Sequence, residues 1–290
     1  MHDSSRRTVT KMNDTIQRVM PVLLFAMVCL STGGCRGDKS VTVPEIPVYP
    51  GKKLVWSDEF DGTVPDPEKW VHEIGDGCPE VCGWGNNELE YYTDQNAFLN
   101  NGHLVIEARK ESKGGKPYTS SRIVTRDKNA FAYGRVDARA KLPFGQGIWP
   151  AIWMLGTSIT GIGWPACGEI DIMEMIGGQG RENTIHGTAH WDNDGQHASF
   201  GKSFVLNNGT FADEFHLFSI EWDSKKIEWY VDDVLYNTID ITPGELDEFR
   251  KEFFIIINLA VGGNWPGHPD DQTAFPQRMT VDYIRVYQDE

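Results

Sequence analysis

Basic charge, long apolar runs, cysteine and helical periodicity are what this chain has least of. Lysine and arginine number 27 against 42 aspartates and glutamates, for a formal net charge of −15 over 290 residues. Nucleic-acid binding asks for a basic face, which this balance does not supply. A global negative field also repels polyanionic sugars such as sulfated galactans, so a neutral polymer is the easier ligand. The apolar stretch from Val19 to Leu30 is too short to span a bilayer comfortably. Helical spacing of apolar residues is scarce, with one short helix expected over Gly244–Lys251, and no segment repeats at a fixed period.

What is present begins with an export segment. Arg6, Arg7, Lys11 and Arg18 precede the apolar stretch, and Ser31-Thr32-Gly33-Gly34-Cys35 follows it. Small residues before Cys35 resemble a bacterial lipoprotein signal, in which that cysteine is lipidated after cleavage. Thr32 stands where such signals usually carry leucine, so ordinary secretion with a nearby cleavage point stays open. The expected organisation is a signal over residues 1–35, a linker over 36–50 with Pro44, Pro47 and Pro50, and one large domain over 51–290. The chain is expected to leave the cytoplasm as an outer-membrane or cell-surface lipoprotein held through Cys35, or as a secreted protein, and to be a monomer. Export permits a small disulfide loop between Cys78 and Cys82; the rival zinc site has no second ligand pair nearby. Cys167 is then a small, buried, inert thiol.

From Leu54 onward, runs of strand-forming residues alternate with turn residues. Strands are expected over Leu54–Phe60, His103–Lys110, Ala132–Leu142, Ile148–Leu155, Glu169–Ile176, Thr184–Trp191, Phe215–Trp222, Lys226–Val231, Val234–Ile239, Phe253–Val261 and Thr280–Gln288, with a tight hairpin turn at Asp232-Asp233. Many strands around one core imply an all-β fold, a jelly-roll sandwich of two antiparallel sheets.

Residues 168–177 read Gly-Glu-Ile-Asp-Ile-Met-Glu-Met-Ile-Gly. Three carboxylates lie within six residues, separated by large apolar side chains that a solvated acidic surface would not need. On a strand, Glu169 and Asp171 share one face while Ile170 and Ile172 turn to the core. Glu174 is an odd number of steps from Glu169 and falls on the wrong face, unless a β-bulge at Ile172–Met173 reverses the phase. Clustered carboxylates raise each other's proton affinity, so one stays protonated while another stays ionised. Glycosidic bond cleavage needs that division: an acid for the leaving oxygen and a nucleophile for the sugar carbon.

Other residues fit a sugar ligand. Trp149 and Trp153, in Gly147-Ile148-Trp149-Pro150-Ala151-Ile152-Trp153-Met154, share a strand face. Such a pair serves either as core or as stacking platforms for sugar rings; beside the acidic strand, in a chain with ten tryptophans, the platform reading fits better. The stretches Trp84-Gly85-Asn86-Asn87-Glu88-Leu89-Glu90-Tyr91-Tyr92 and Gly262-Gly263-Asn264-Trp265-Pro266-Gly267 mix aromatic and hydrogen-bonding side chains in loops. His186 and His190 face one side of a strand; a buried, hydrogen-bonded role is commoner for such a pair than metal ligation.

The acidic strand with its extra Met173, the segment Gly147 to Met154 and the loop Trp84 to Tyr92 together resemble glycoside hydrolase family sixteen, and within it the bacterial laminarinases, endo-acting β-1,3-glucanases. The likeness runs from about Leu54 to Tyr287. It implies a concave substrate cleft and a retaining double displacement, with Glu169 as nucleophile, Glu174 as acid/base and Asp171 as a helper for their protonation states. It further implies Trp149 and Trp153 at the subsites flanking the cleaved bond. Asn86, Glu88 and Arg135 are implied as hydrogen-bonding partners of sugars on the non-reducing side, Trp265 as a stacking wall, and His190 as a neighbour of the carboxylates. No cofactor is implied for catalysis; a structural calcium ion is, near Glu59, Gly102 and Asp282, with backbone oxygens from the first two. Retention requires the two working carboxyls ~5–5.5 Å apart, whereas a flat strand separates their Cα atoms by about 13 Å, so the side chains have to converge. The competing readings are the same chemistry on mixed-linkage glucan, agarose or a carrageenan, and a non-catalytic glucan-binding protein. The presence of all three carboxylates disfavours the last.

Overall fold

A computed structural model describes residues 46–290. The expected signal, Cys35 and most of the linker lie outside the described residues. Two antiparallel sheets account for nearly all of the regular structure. The outer sheet contains β1 (Lys52–Asp58), β4 (Ala97–Asn100), β5 (His103–Ala108), β8 (Gly134–Lys141), β13 (His216–Trp222), β14 (Lys226–Val231), β15 (Val234–Asp240) and β17 (Gln277–Asp289). Its order is β15-β14-β13-β8-β17-β5-β4, with β1 also paired to β17. The inner sheet contains β2 (Val71–His72), β7 (Arg122–Val124), β9 (Ile148–Gly156), β10 (Glu169–Glu174), β11 (Thr184–Asn193), β12 (Gln196–Val205) and β16 (Phe253–Val261), in the order β12-β11-β10-β9-β16-β7-β2. Short β3 (Glu90–Tyr92) and β6 (Tyr118–Ser120) pair in parallel beside them.

The sandwich follows from alternation. Ile148, Ile152 and Met154 of β9, with Ile170 and Ile172 of β10, are fully buried against Val136, Ala138 and Ala140 of β8 and Phe218 and Ile220 of β13. The central strand β16 is buried along its whole length, because a second small cluster of Val124, Leu155, Cys167, Phe254 and Ile256 covers the inner sheet's other face. Burial pushes the Cys167 thiol up to about 11, as an inert thiol requires. The Asp232-Asp233 turn is present, with φ of 47° and 61° at its two centres, the left-handed pair that a tight hairpin uses. Over Gly244–Arg250 the expected α-helix is instead a 3₁₀ segment, non-helical at Leu246.

One expectation fails on the outer sheet. Arg135, expected to reach sugars, is 4% exposed on β8 and points away from the inner sheet. Its guanidinium donates to Asp137 (2.7 Å), Glu221 (3.1 Å), Asp233 (2.9 Å) and Ser219 (3.2 Å). The Tyr49 ring covers it at 4.3 Å, while the Tyr49 hydroxyl donates to Asp137 at 2.7 Å. At the expected calcium position the carboxylates of Asp282 and Glu59 have protein partners. Arg139 and His103 engage the two carboxylate oxygens of Asp282, and Arg285 engages both of Glu59. The oxygens expected from Glu59 and Gly102 are backbone ones, untouched by these side-chain pairs, and a calcium ion there would share the Asp282 carboxylate with Arg139 and His103.

Asp137 is completely buried, so removing its cation strands a charge in the protein interior. Arg135→Leu is therefore expected to lower the unfolding free energy by about 3–5 kcal/mol, measured by denaturant titration, while leaving KM for a polysaccharide unchanged. A raised KM with unchanged stability would return Arg135 to the binding set.

Candidate active site

The bulge is where the carboxylate spacing demands it. Against β9, β10 pairs Asp171 with Trp153 and then Met173 with Ile152, skipping Ile172. Against β11 it pairs Asp171 with Thr188 and then Glu174 with His186. Ile170, Ile172 and Met173 enter the core, and Glu169, Asp171 and Glu174 all line one cavity of about 700 Å³ on the inner sheet's open face.

Glu169 and Glu174 each have a directed indole donor. Glu174 Oε1 accepts from Trp149 Nε1 at 3.0 Å, and Glu169 Oε2 accepts from Trp164 Nε1 at 3.1 Å. His190 Nε2 lies 3.1 Å from Asp171 Oδ2 and 3.8 Å from Glu169 Oε1; its Nδ1 is 2.9 Å from His197 Nε2. His190 thus stands where it was expected, beside the carboxylates. Burial raises Glu169 and Asp171 each to about 8, the charge of Asp171 adding to the rise of Glu169. Glu174 is pushed well above the usual range, first by burial and then by the charges of Asp171 and Glu169. The His190 ring and the Trp164 N–H pull Glu169 back toward ionisation. Burial and two neighbouring carboxylates thus favour the protonated form of Glu174, the property of a general acid. Ligand atoms of Glu169, Asp171 and His190 lie within 4.8 Å of one another, close enough for a metal ion, but proton sharing among carboxyls already accounts for the cluster.

The rest of the cavity wall is aromatic. Trp149 meets Trp265 edge-on at 5.6 Å, and the Trp153 indole donates to Asn258 Oδ1 at 2.7 Å. Asn258 donates to the Tyr92 hydroxyl (3.1 Å), which donates to Glu88 (3.1 Å), and Glu88 also accepts from Asn86 (3.0 Å). Trp149, Trp153, Trp265, Asn86 and Glu88 are thus all brought to the cavity. Glu88 is raised by burial, and Glu90 behind it is raised well above the carboxylate range by burial and by the Glu88 charge. The Cys78–Cys82 disulfide closes the loop leading into this wall.

Sequence reasoning missed Arg122, Arg126, Trp164, His197 and Asn258, all of which line the cavity. Arg122 is held between the indoles of Trp84 (4.6 Å) and Trp153 (4.8 Å) and pairs with Glu73. Unlike Arg135, it lines the cavity. Its strand, β7, is only three residues long, too short for a periodicity signal. Trp164 lies five residues before Glu169, a proximity that could have flagged it.

The family model for glycosyl hydrolases family 16 matches residues 84–285. The chain belongs to that family. It is 40% identical over 291 residues to a beta-glucanase of Rhodothermus marinus, across 96% of each chain. Among solved structures, the laminarinase catalytic domain of Thermotoga maritima MSB8 matches with a TM-score of 0.76 at 53% identity, covering 82% of this chain and 99% of that one. The endo-beta-1,3-glucanase of Pyrococcus furiosus matches with a TM-score of 0.76 at 45% identity, covering 82% and 95%. These identities extend the likeness from fold to sequence. Family 16 glycosidases work by retention and need no catalytic cofactor.

The raised proton affinity of Glu174 has a consequence for stability. A carboxyl whose folded pKa lies above its unfolded value near 4.3 favours folding at low pH and loses that advantage as pH rises toward the folded pKa. Glu174→Gln keeps an acceptor for Trp149 and removes the titration. Its Tm is expected to exceed wild type by about 2–4 °C at pH 8, roughly 1 kcal/mol for a domain of this size, with the gain vanishing near pH 4. An equal gain at both pH values, by calorimetry, would contradict the raised affinity.

Proposed function

We propose that this chain is a retaining, endo-acting β-1,3-glucanase. The observation that carries the reading is the bulged β10, which turns Glu169, Asp171 and Glu174 into one cavity walled by Trp149, Trp153 and Trp265. Glu169 attacks the anomeric carbon as the bond to the leaving oxygen breaks, and Glu174 gives that oxygen its proton. The glycosyl ester on Glu169 is then opened by water, whose proton returns to Glu174, restoring both groups and the β configuration. Asp171, between them and against His190, keeps negative charge from settling on Glu174 before the proton is needed.

Indole faces suit the C–H faces of uncharged glucose rings, and the acidic balance of the chain suits a neutral polymer. The likeness to laminarinases supports β-1,3-glucan over a galactan. Export belongs to the same reading, supported by the basic and apolar stretches before Cys35 and by the Cys78–Cys82 disulfide, which needs an oxidising compartment.

Residues 44–290 incubated with laminarin are expected to release oligosaccharides whose first anomeric signal by NMR is β. Agarose and κ-carrageenan are expected to stay intact, and mixed-linkage glucan to be cut more slowly. Glu169→Gln is expected to lower kcat by roughly a thousandfold or more while still binding laminarioligosaccharides. Cleavage of a galactan but not laminarin would overturn the substrate assignment, and full activity in Glu169→Gln would overturn the nucleophile.

A further inference from the structure

The bulge that aligns the carboxylates is met from behind by a second one. Across from Ile172 and Met173, β11 offers the single residue Gly187, since the pairing steps from Asp171↔Thr188 to Glu174↔His186. In the outer sheet, β14 and β15 pair Trp229 with Asn237 and then Tyr230 with Leu235, leaving Tyr236 as the extra residue. An extra residue breaks strand alternation, so the adjacent Tyr236 and Asn237 both reach inward. Asn237 is 1% exposed, and the Tyr236 hydroxyl is buried.

These residues close on the catalytic strand. Trp229, fully buried, donates from Nε1 to the backbone oxygen of Asp171 at 2.7 Å. Asn237 donates from Nδ2 to the backbone oxygen of Gly187 at 3.0 Å. A Cβ on Gly187 would stand 2.3 Å from the Tyr236 hydroxyl oxygen and 2.5 Å from Trp229 Cδ1; close approach is what requires glycine there. A bulge interrupts its ladder, and buried carbonyls need partners. Outer-sheet side chains provide them on both strands of the interruption.

We propose that Trp229, Tyr236 and Asn237 are positioning residues, a clamp that fixes the β10 bulge and with it the place of Glu174 relative to Glu169. None of the three lines the cavity, so the clamp acts through the backbone. The inference rests on the glucanase reading for its substrate and on the two registers for its geometry.

The test separates positioning from mere core stability by leaving group. Trp229→Phe keeps an aromatic ring and removes the donor. Displacing Glu174 harms a poor leaving group, which needs protonation, more than a good one. In the full chain, kcat/KM on laminarin is expected to fall by about tenfold or more, and on an aryl β-laminaribioside with an activated phenol by less than about threefold. Glu174→Ala sets the direction of this split. Ile106→Ala, a fully buried residue of β5, supplies a core variant that loses stability without it. Asn237→Ala is expected to show the same split more weakly and carries the test if Trp229→Phe does not fold. Equal losses on both substrates in the clamp variants, or the same split in Ile106→Ala, would overturn the clamp. Wild type that leaves laminarin intact would count against the substrate reading alone; the split is then taken on the polymer it cleaves.

Discussion

One extra residue in β10 is the constraint on which both folding and chemistry depend. With strict alternation Glu174 would enter the core beside Ile170 and Ile172, where a carboxylate without partners is intolerable. The bulge moves Glu174 to the open face and sends Met173 into the core in its place, so one backbone irregularity removes a folding penalty and completes an acid–nucleophile pair. Bulges cost ladder hydrogen bonds. The surrounding design, with Gly187 opposite and indole and amide donors beneath, is understandable as compensation for that loss.

The choice of partners for the carboxylates follows from the same economy. An arginine against Glu174 would hold it ionised and remove the acid. Indole N–H groups fix position while conceding little proton affinity, and Trp149 and Trp164 do so for the two working carboxyls. Desolvation is the largest cause of the rise at Glu174. Of the two arginines lining the cavity, Arg122 is itself tied to Glu73 and held between Trp84 and Trp153. Stability is thereby traded for a raised proton affinity at Glu174.

Legibility in the sequence tracked how locally each feature is encoded. The bulge could be read because three carboxylates and their apolar spacers lie in six consecutive residues, and only one register satisfies them all. Long apolar strands such as β9 and β16 announce themselves by composition. β12 does not: most of its residues are exposed on both faces, so no alternation marks it, and His197 was lost with it. Short β2, β3, β6 and β7 hold too few residues to establish a period. Tyr236 was out of reach for a different reason: its role depends on a register slip in one sheet meeting a slip in the other, a relation that exists only once the sheets pack.

The Arg135 result shows where reading by likeness stops working. Glu169, Asp171 and Glu174 transfer as a unit because their spacing along one strand dictates their common direction. Arg135 shares only a residue type and an approximate position with a sugar-contacting arginine, and direction on β8 is decided by parity: Val136 and Ala138 face the core, so Arg135 and Asp137 must face outward. Once outward, it meets Glu221 and Asp233 on the neighbouring strand and turn, and buries with them under Tyr49. The parity test needed only the alternation already visible in Arg135-Val136-Asp137-Ala138. Applied to β7, it would have asked which face Arg122 takes, and its position two residues from the buried Val124 places it with the tryptophans of the cleft.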